Sequence, residues 1–527
     1  MFRSSDHRPR RSRLRLWLGG LAAAALLGPT LPAAADLKVG HNLGSPTFYS
    51  SNPAFKNLMH QSLGWCLLRS NGTKLWDQED RTGKIPQRAN DGYPTQVPFT
   101  RNNQEYRVHT LIPALYDGNY KMYVSGRGTI RYRVPGVSWQ EVDITTNNQE
   151  VAFTADGVNL FWEYDSSGVS KRKTVSHIEL EIVDSKRWNP INNIRVFGPG
   201  DHNASKHAFD SEFLSDISDS YTLRFMDWGR TNNSNLVRWG DRTKKDWYSQ
   251  ATKSGVAYEH MAALANNRGK RLWVNVPHKA DNNFITKMAE LFRDQVNSGN
   301  ETIFSQRNWI NNRTSGNTLP ERYGHLAKNV FNRWDSAFGN DFDSRVIPVL
   351  AAEHKNVWQI NAALSTAGNK VELISMAPYP GEIFTSVPDP LPSTDDLLED
   401  EYSHWNDVQQ YLSDYNWAAN QAGLDWVCYE GGPHWLGGRT WVKNNNGLTD
   451  RFMDLNRYWK LRSFLRWDFL PQIKSRGAEM YLHFNIGGSP WNQNGAWTTV
   501  EYRGQAVGTE NWKAQKEWAL RNFRTNQ

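Results

Sequence analysis

The chain has 527 residues, 39% of them hydrophobic and 22% charged. That length is too great for one ordinary domain and suits two, and the composition excludes wholesale disorder. The net charge of +7 does not mark a polyanion binder: residues 1–35 hold six arginines and one aspartate, which leaves +2 for the rest, so no nucleic-acid partner is implied.

Arg10, Arg11, Arg13 and Arg15 precede a short apolar run over 16–27, and Ala33, Ala34 and Ala35 precede Asp36. A basic segment, an apolar core and small residues in that order predict a cleaved export signal over 1–35. The run is shorter than the roughly 20 apolar residues of a membrane span. No later stretch is long and apolar enough to serve as one, so no membrane span is expected after signal cleavage. The expected location is secreted or periplasmic, and the Arg10–Arg11 pair is compatible with twin-arginine export.

Residues 36–190 show no long helical pattern. Short alternating runs at 106–111, 120–124, 129–134, 141–144, 150–154, 160–164 and 177–183 are split by Gly, Asn and Pro, which predicts a β-sandwich domain. From about 191 to 527 the texture changes. Helical segments at 256–268, 357–367, 405–422 and 458–476 each close on a glycine, and a short apolar run follows at once. Eight apolar runs are counted: 194–197, 223–226, 272–276, 302–304, 346–350, 373–376, 426–429 and 480–484. Eight strands alternating with helices predict a (β/α)8 TIM barrel. An open doubly wound sheet is the alternative, weakened because no Gly-rich phosphate loop follows any strand.

The chain also carries 24 tryptophans, and 13% of its residues are aromatic. Aromatic faces stack on sugar rings, so a carbohydrate partner is favoured, although many of these rings must be core. Cys66 and Cys428 fall in different predicted domains. They read as two separate core residues, with a disulfide as the alternative for an exported protein.

A barrel of this kind carries its active site at the C-terminal ends of the strands. There the second run leads into Arg224 and Trp228, the third into His278, the sixth into Tyr379, the seventh into Glu430, and the eighth into His483 with Trp497 beyond. Glu430 follows an apolar strand and precedes Gly431 and Gly432, which would let a substrate come close. Arg224 is placed to hold its carboxylate by a bidentate bond. The alternative for both is a structural ion pair, and for the others strand-end packing. No paired His or Cys spacing supports a metal site, no Gly-x-Ser-x-Gly elbow follows a strand, and no cofactor is implied.

Arg224-Phe225-Met226-Asp227-Trp228, Val276-Pro277-His278, Ala377-Pro378-Tyr379, Tyr429-Glu430-Gly431-Gly432 and His483-Phe484-Asn485 resemble a family of bacterial cellulase-like proteins. In that family a β-sandwich precedes a barrel of the retaining glycoside-hydrolase clan. The matches begin near His41-Asn42 and end near Trp497. The resemblance implies a polysaccharide or oligosaccharide substrate, a nucleophile at Glu430, and a second carboxylate, in an Asn-Glu pair ending the fourth strand, that protonates the leaving oxygen.

The chain departs from the family at that pair. One alignment places Asn300-Glu301 on it, but then Glu301 begins the strand instead of ending it. The other takes 302–304 as the strand and puts Gln306-Arg307 at its end. An arginine is no proton donor at neutral pH, so the acid would be lost or supplied from elsewhere, with Glu382 as a substitute. The acidic run 395–401 reads instead as a capped helix start behind Ser393-Thr394. Two functions therefore stay open: a secreted retaining glycoside hydrolase acting on a β-linked polysaccharide or exopolysaccharide, and a glycan-binding protein on a hydrolase scaffold that has lost its acid.

Overall fold

The computed structural model describes residues 36–79, 85–87, 90–158, 163–164, 170–171, 176–200, 208–232, 234–306, 318–353, 357–488, 495–505 and 515–527. The predicted export signal and Arg307 lie outside the described residues.

Eight parallel strands close into a barrel. In chain order they are β1 (Lys38–Leu43), β2 (Thr222–Arg224), β3 (Arg271–Val276), β4 (Thr302–Gln306), β5 (Val346–Ala351), β6 (Leu373–Met376), β7 (Asp425–Cys428) and β8 (Met480–Ile486). Each pairs with the next, and β8 returns to β1. Trp273, Ile303, Val349, Leu373, Val427, Met480 and Leu482 form one buried cluster inside it, so the barrel is a packed core and not a pore. Helices such as Tyr258–Arg268, Asn282–Gln295, Leu319–Phe338 and Thr394–Ala422 pack outside. Tyr258–Arg268 and Thr394–Ala422 stop at Gly269 and Gly423, whose φ of 60° and 66° lets the chain turn left-handed into β3 and β7.

One strand differs from expectation. The run at 194–197 is not in the barrel; β1 takes that place. Strand Asn192–Phe197 alternates more and less buried positions and pairs antiparallel with Gly118–Ser125. Five of the six β1 residues are fully buried, as a parallel strand covered on both faces requires. Buried His41 and Asn42 disguise β1 as a polar stretch.

Between β1 and β2, among the described residues, lie a short two-stranded antiparallel sheet, Glu163–Tyr164 with Ser170–Lys171, and two larger antiparallel ones. The larger contains Cys66–Arg69, Lys74–Glu79, Phe99–Arg101, Gln104–Pro113, Gly128–Arg133, Gln140–Ile144 and His177–Ser185. The smaller contains Gly118–Ser125, Gln149–Ala155 and Asn192–Phe197. Val108, Ile112, Ile130 and Leu180 of the first share one core with Tyr120, Met122, Val124 and Val196 of the second. Predominantly β chain thus interrupts the barrel sequence after its first strand, so the boundary expected near 190 does not separate β1 from the other barrel strands.

Two helix details bear on the site. Helix Thr394–Ala422 opens with a capping box between Ser393 and Asp396, which accounts for part of the acidic run 395–401. The helix expected over 458–476 is instead Trp459–Phe464, a π-helical turn Leu465–Phe469, and Leu470–Ser475. Pro471 has no N–H for the carbonyl of Trp467, so the ladder shifts there. Cys66 and Cys428 are separate buried thiols, with no disulfide between them. Among the described residues no helix is long and apolar enough to cross a membrane.

Candidate active site at the C-terminal mouth of the barrel

The ends of β1, β2, β7 and β8 are tied together by one polar chain. Arg224, the last residue of β2, donates from Nη1 to Glu430 Oε2 at 2.8 Å and to Asn42 Oδ1 at 2.6 Å. Asn42 in turn donates from Nδ2 to the Tyr429 carbonyl at 3.1 Å and the His483 carbonyl at 3.4 Å. The guanidinium lies 4.9 Å from the Tyr429 ring centroid and 5.6 Å from that of Trp273, which places it between two electron-rich faces. Arg224 is only 3% exposed, whereas Glu430 keeps 17% of its side-chain surface open. The expected bidentate fork is not formed. A single guanidinium nitrogen bridges Asn42 and Glu430, because Asn42 draws it toward β1.

The Glu430 segment is stitched on both sides. Tyr429 N–H donates to the Met376 carbonyl, Gly432 N–H to the Pro378 carbonyl, and Phe484 N–H to the Gly431 carbonyl. The packing around both glycines leaves no room for a side chain. A Cβ on Gly431 would stand 2.8 Å from the Pro378 oxygen, and one on Gly432 would stand 2.7 Å from His483 Cε1. Both distances are below any real Cβ contact.

The other predicted residues divide. Tyr379 is half-buried with its ring 4.7 Å from that of His434. Burial first, and then the negative charge of Glu430, push its phenol well above the usual range, so it stays a protonated donor group beside the carboxylate. Trp497 is half-buried and stacks at 15° on His434, 6.1 Å away. Tyr379, His434 and Trp497 thus form an aromatic wall leading away from Glu430. His278 is half-buried just past the end of β3.

His483 does not face a substrate. It is fully buried, its Nδ1 is 2.9 Å from Tyr481 Oη, and it lies against Gly432. Burial first, then the positive charge of Lys516, holds its imidazole well below the usual range and so neutral. Trp228 also turns inward. It is 1% exposed, packs on Phe55, Phe213 and Phe225, and donates from its indole to the Gly44 carbonyl at 3.0 Å. It is core and offers no platform for a sugar.

The alignment that makes Glu301 the acid fails on position. Glu301 precedes β4, its carbonyl accepts from Leu272 at the start of β3, and its carboxylate pairs with Arg271, the first residue of β3, at 2.5 Å. It therefore lies at the N-terminal end of the barrel, opposite the mouth. Glu382 is exposed beyond β6 and lies within the electrostatic reach of Asp400. No contact joins it to Glu430.

Asn42 and His434 escape sequence reasoning. Asn42 is hidden by the misplaced first strand. His434 follows the Glu430-Gly431-Gly432-Pro433 turn directly, and its place in the same loop as Glu430 was the available signal. Beyond Trp497 a cavity of about 180 Å³ opens among Gly44, Tyr49, Asp227, Arg230 and Asn485. A second, of about 580 Å³, continues from Tyr49 and Arg230 to Asn232, Asn235 and Lys253. The two share Thr47, Tyr49 and Arg230, so they form one groove built from the loops that follow β1 and β2.

The fold and the mouth define a closed parallel (β/α)8 barrel protein with a partly buried arginine–glutamate pair at the C-terminal ends of its strands. No protein-family model matches the chain, and none of the curated proteins matches it in sequence. Among solved structures it is similar to a GH5 family lichenase from Caldicellulosiruptor sp. F32, with 11% identity, a TM-score of 0.38, and 60% of this chain and 84% of that one covered. It is similar also to a GH5-4 broad specificity endoglucanase from Ruminococcus champanellensis, with 12% identity, a TM-score of 0.36, and 60% and 87% covered. A third is the Podospora anserina GH26-CBM35 β-(1,4)-mannanase, with 9% identity, a TM-score of 0.28, and 91% and 99% covered. At such scores the likenesses carry no weight for the chemistry, which rests on the residues of the mouth.

Proposed function

We propose that the protein is a secreted glycoside hydrolase of the retaining type that acts on a β-linked polysaccharide or exopolysaccharide at the barrel mouth. The antiparallel sheets are read as its β-sandwich domain. The observation that carries this reading is the Arg224–Glu430 pair, a partly open carboxylate held at 2.8 Å by a buried cation and flanked by Tyr379, His434 and Trp497. In the first step Glu430 attacks the anomeric carbon and forms a glycosyl ester as the bond to the leaving oxygen breaks. That oxygen takes its proton from solvent water, and the water that attacks in the second step returns one to solvent. In the second step water displaces Glu430 and restores the sugar with its original configuration. Sugar rings would lie on the Trp497–His434 wall.

A second reading is favoured by one specific observation. Glu301 lies at the wrong end of β4, so among the described residues the fourth strand brings no carboxylate to the mouth. General-acid catalysis, worth roughly 10²–10⁴-fold, is then missing, and the mouth binds glycan without cutting it.

One experiment separates the two. Purified protein and Glu430→Gln are incubated with end-labelled β-linked oligosaccharides, and released reducing ends and affinity are both measured. Cleavage that is abolished in Glu430→Gln supports the hydrolase. Equal affinity in both proteins, with no cleavage by either, supports the binder. Neither cleavage nor affinity sinks both.

A further inference from the structure

Arg230 stands where a glycine is the ordinary choice. Arg230 N–H donates to the Asp227 carbonyl at 3.1 Å and Thr231 N–H to the Met226 carbonyl at 3.4 Å. That is the paired bonding of a Schellman turn, and Arg230 occupies its left-handed position with φ of 47°. Glycine takes this conformation freely, whereas a residue with a Cβ is strained in it. The turn cannot relax locally. Ser45 Oγ donates to the Asp227 carbonyl at 2.7 Å, and Val256 N–H donates to the Trp228 carbonyl at 2.7 Å. Strain of this kind is kept where the side chain has work to do.

The side chain stands at the junction of the groove. Arg230 lines both the cavity of about 180 Å³ beside Trp497 and the cavity of about 580 Å³ beyond it. It is exposed, and among the described residues it has no ion-pair partner. Tyr49, 43% exposed, lines both cavities too. Asn232, Asn235 and Lys253 continue the wall, and the acidic groups among the described lining residues are Asp227 in the smaller cavity and Asp241 in the larger. An exposed ring, amide side chains and an unpaired guanidinium make a surface for a sugar chain that carries acid groups. A guanidinium fork matches a carboxylate in two parallel bonds.

We infer that this groove holds the part of the polysaccharide that extends past Trp497, and that Arg230 binds the carboxylate of a uronic acid residue in it. This rests on the carbohydrate reading of the mouth and narrows it to acidic β-linked chains.

The test uses the full-length protein with Glu430→Gln to prevent turnover. Two probes share one β-1,4 backbone: cello-oligosaccharides of six sugars, and the same chains oxidised at C6 to carboxylates. The expected result is about tenfold tighter binding of the oxidised chain, as a charge-assisted bidentate contact provides. Adding Arg230→Gly or Arg230→Gln removes that preference, so that the two chains bind with equal affinity. Arg230→Gly also raises the melting temperature, because the turn is relieved, an outcome that a purely structural arginine would not give. Equal binding of the two chains, or a preference that survives both substitutions, overturns the role of Arg230 while the carbohydrate reading stands. Binding of neither chain overturns the carbohydrate reading, and this inference with it.

Discussion

Nη1 of Arg224, at the end of β2, lies 2.8 Å from Oε2 of Glu430, just past the end of β7, across the mouth of the barrel. The same nitrogen holds Asn42 of β1 at 2.6 Å. A hydrogen bond to a charged group contributes roughly 1.5–3 kcal/mol, and removing one partner of a buried pair leaves the other unmet. Arg224→Met is therefore expected to lower unfolding free energy by about 2–3 kcal/mol in urea titration. It should reduce any glycan turnover about 10²-fold or more, since the carboxylate loses the group that orients it. Arg224→Met with unchanged stability and turnover would show that the pair is incidental.

Asn42 acts on Glu430 only through Arg224. Asn42→Leu leaves Arg224 short of an acceptor and two carbonyls, of Tyr429 and His483, short of a donor. Buried polar groups left unsatisfied cost about 1–3 kcal/mol. The expected signature is a loss of stability of that size together with a fall in turnover at nearly constant KM, because the sugar wall is untouched. A rise in KM alone would mean that Asn42 contacts the substrate directly.

Glu301, which one alignment with cellulase-like proteins offers as the acid, is excluded from the mouth by position. Glu301 pairs with Arg271 at the far end of the barrel, both side chains about a third exposed at 33% and 32%. Pairs exposed to that degree contribute about 0–1 kcal/mol. Glu301→Gln should leave stability within about 0.5 kcal/mol and leave glycan affinity and turnover unchanged, measured side by side with Glu430→Gln. A Glu301→Gln variant that binds sugar and no longer cuts it would put the acid back on Glu301.

Much of the barrel was legible because parallel strands read as short apolar runs, and because Gly269 and Gly423 end the preceding helices at the strand boundary. Seven of the eight runs are barrel strands for that reason. β1 was illegible because its polar residues are satisfied by distant partners. His41 meets Glu517, 476 residues on, and Asn42 meets Arg224, 182 residues on. No local pattern reports such pairing. Glu430 and Arg224 could be singled out because strand ends point into the mouth whatever the loops do. The tryptophans could not be sorted, since the orientation of an indole after a strand is set by packing across the chain.

Trp228 and Trp497 make that difference measurable. Trp228→Phe loses the bond to the Gly44 carbonyl inside the core and should cost about 1 kcal/mol, with glycan affinity unchanged. Trp497→Ala removes the ring stacked on His434 and should weaken binding about tenfold or more. Titration calorimetry on both variants in a Glu430→Gln background decides it. Loss of affinity in Trp228→Phe would contradict its placement in the core.

The closing helix supplies the pH dependence. Glu517 on helix Gln515–Thr525 is fully buried, and its Oε2 is 2.8 Å from Nε2 of His41, whose Nδ1 is 2.7 Å from Ser220 Oγ. Burial alone would push the Glu517 carboxyl up. The charge and hydrogen bond of His41, with Arg524 and Arg521, outweigh burial and hold it well below the ordinary carboxylate range. A carboxyl with a depressed folded-state pKa binds fewer protons folded than unfolded. Its contribution is then complete above the unfolded value of about 4.3 and falls away as pH drops through the folded value. Urea midpoints should therefore decline for the wild-type chain as pH falls below about 4.5. Glu517→Gln should be less stable at neutral pH by about 3–5 kcal/mol, the cost of breaking a buried pair, and the gap between the two proteins should narrow in acid. Two curves that run parallel from pH 7 to pH 3 would mean that the Glu517 carboxylate does not hold the helix to β1.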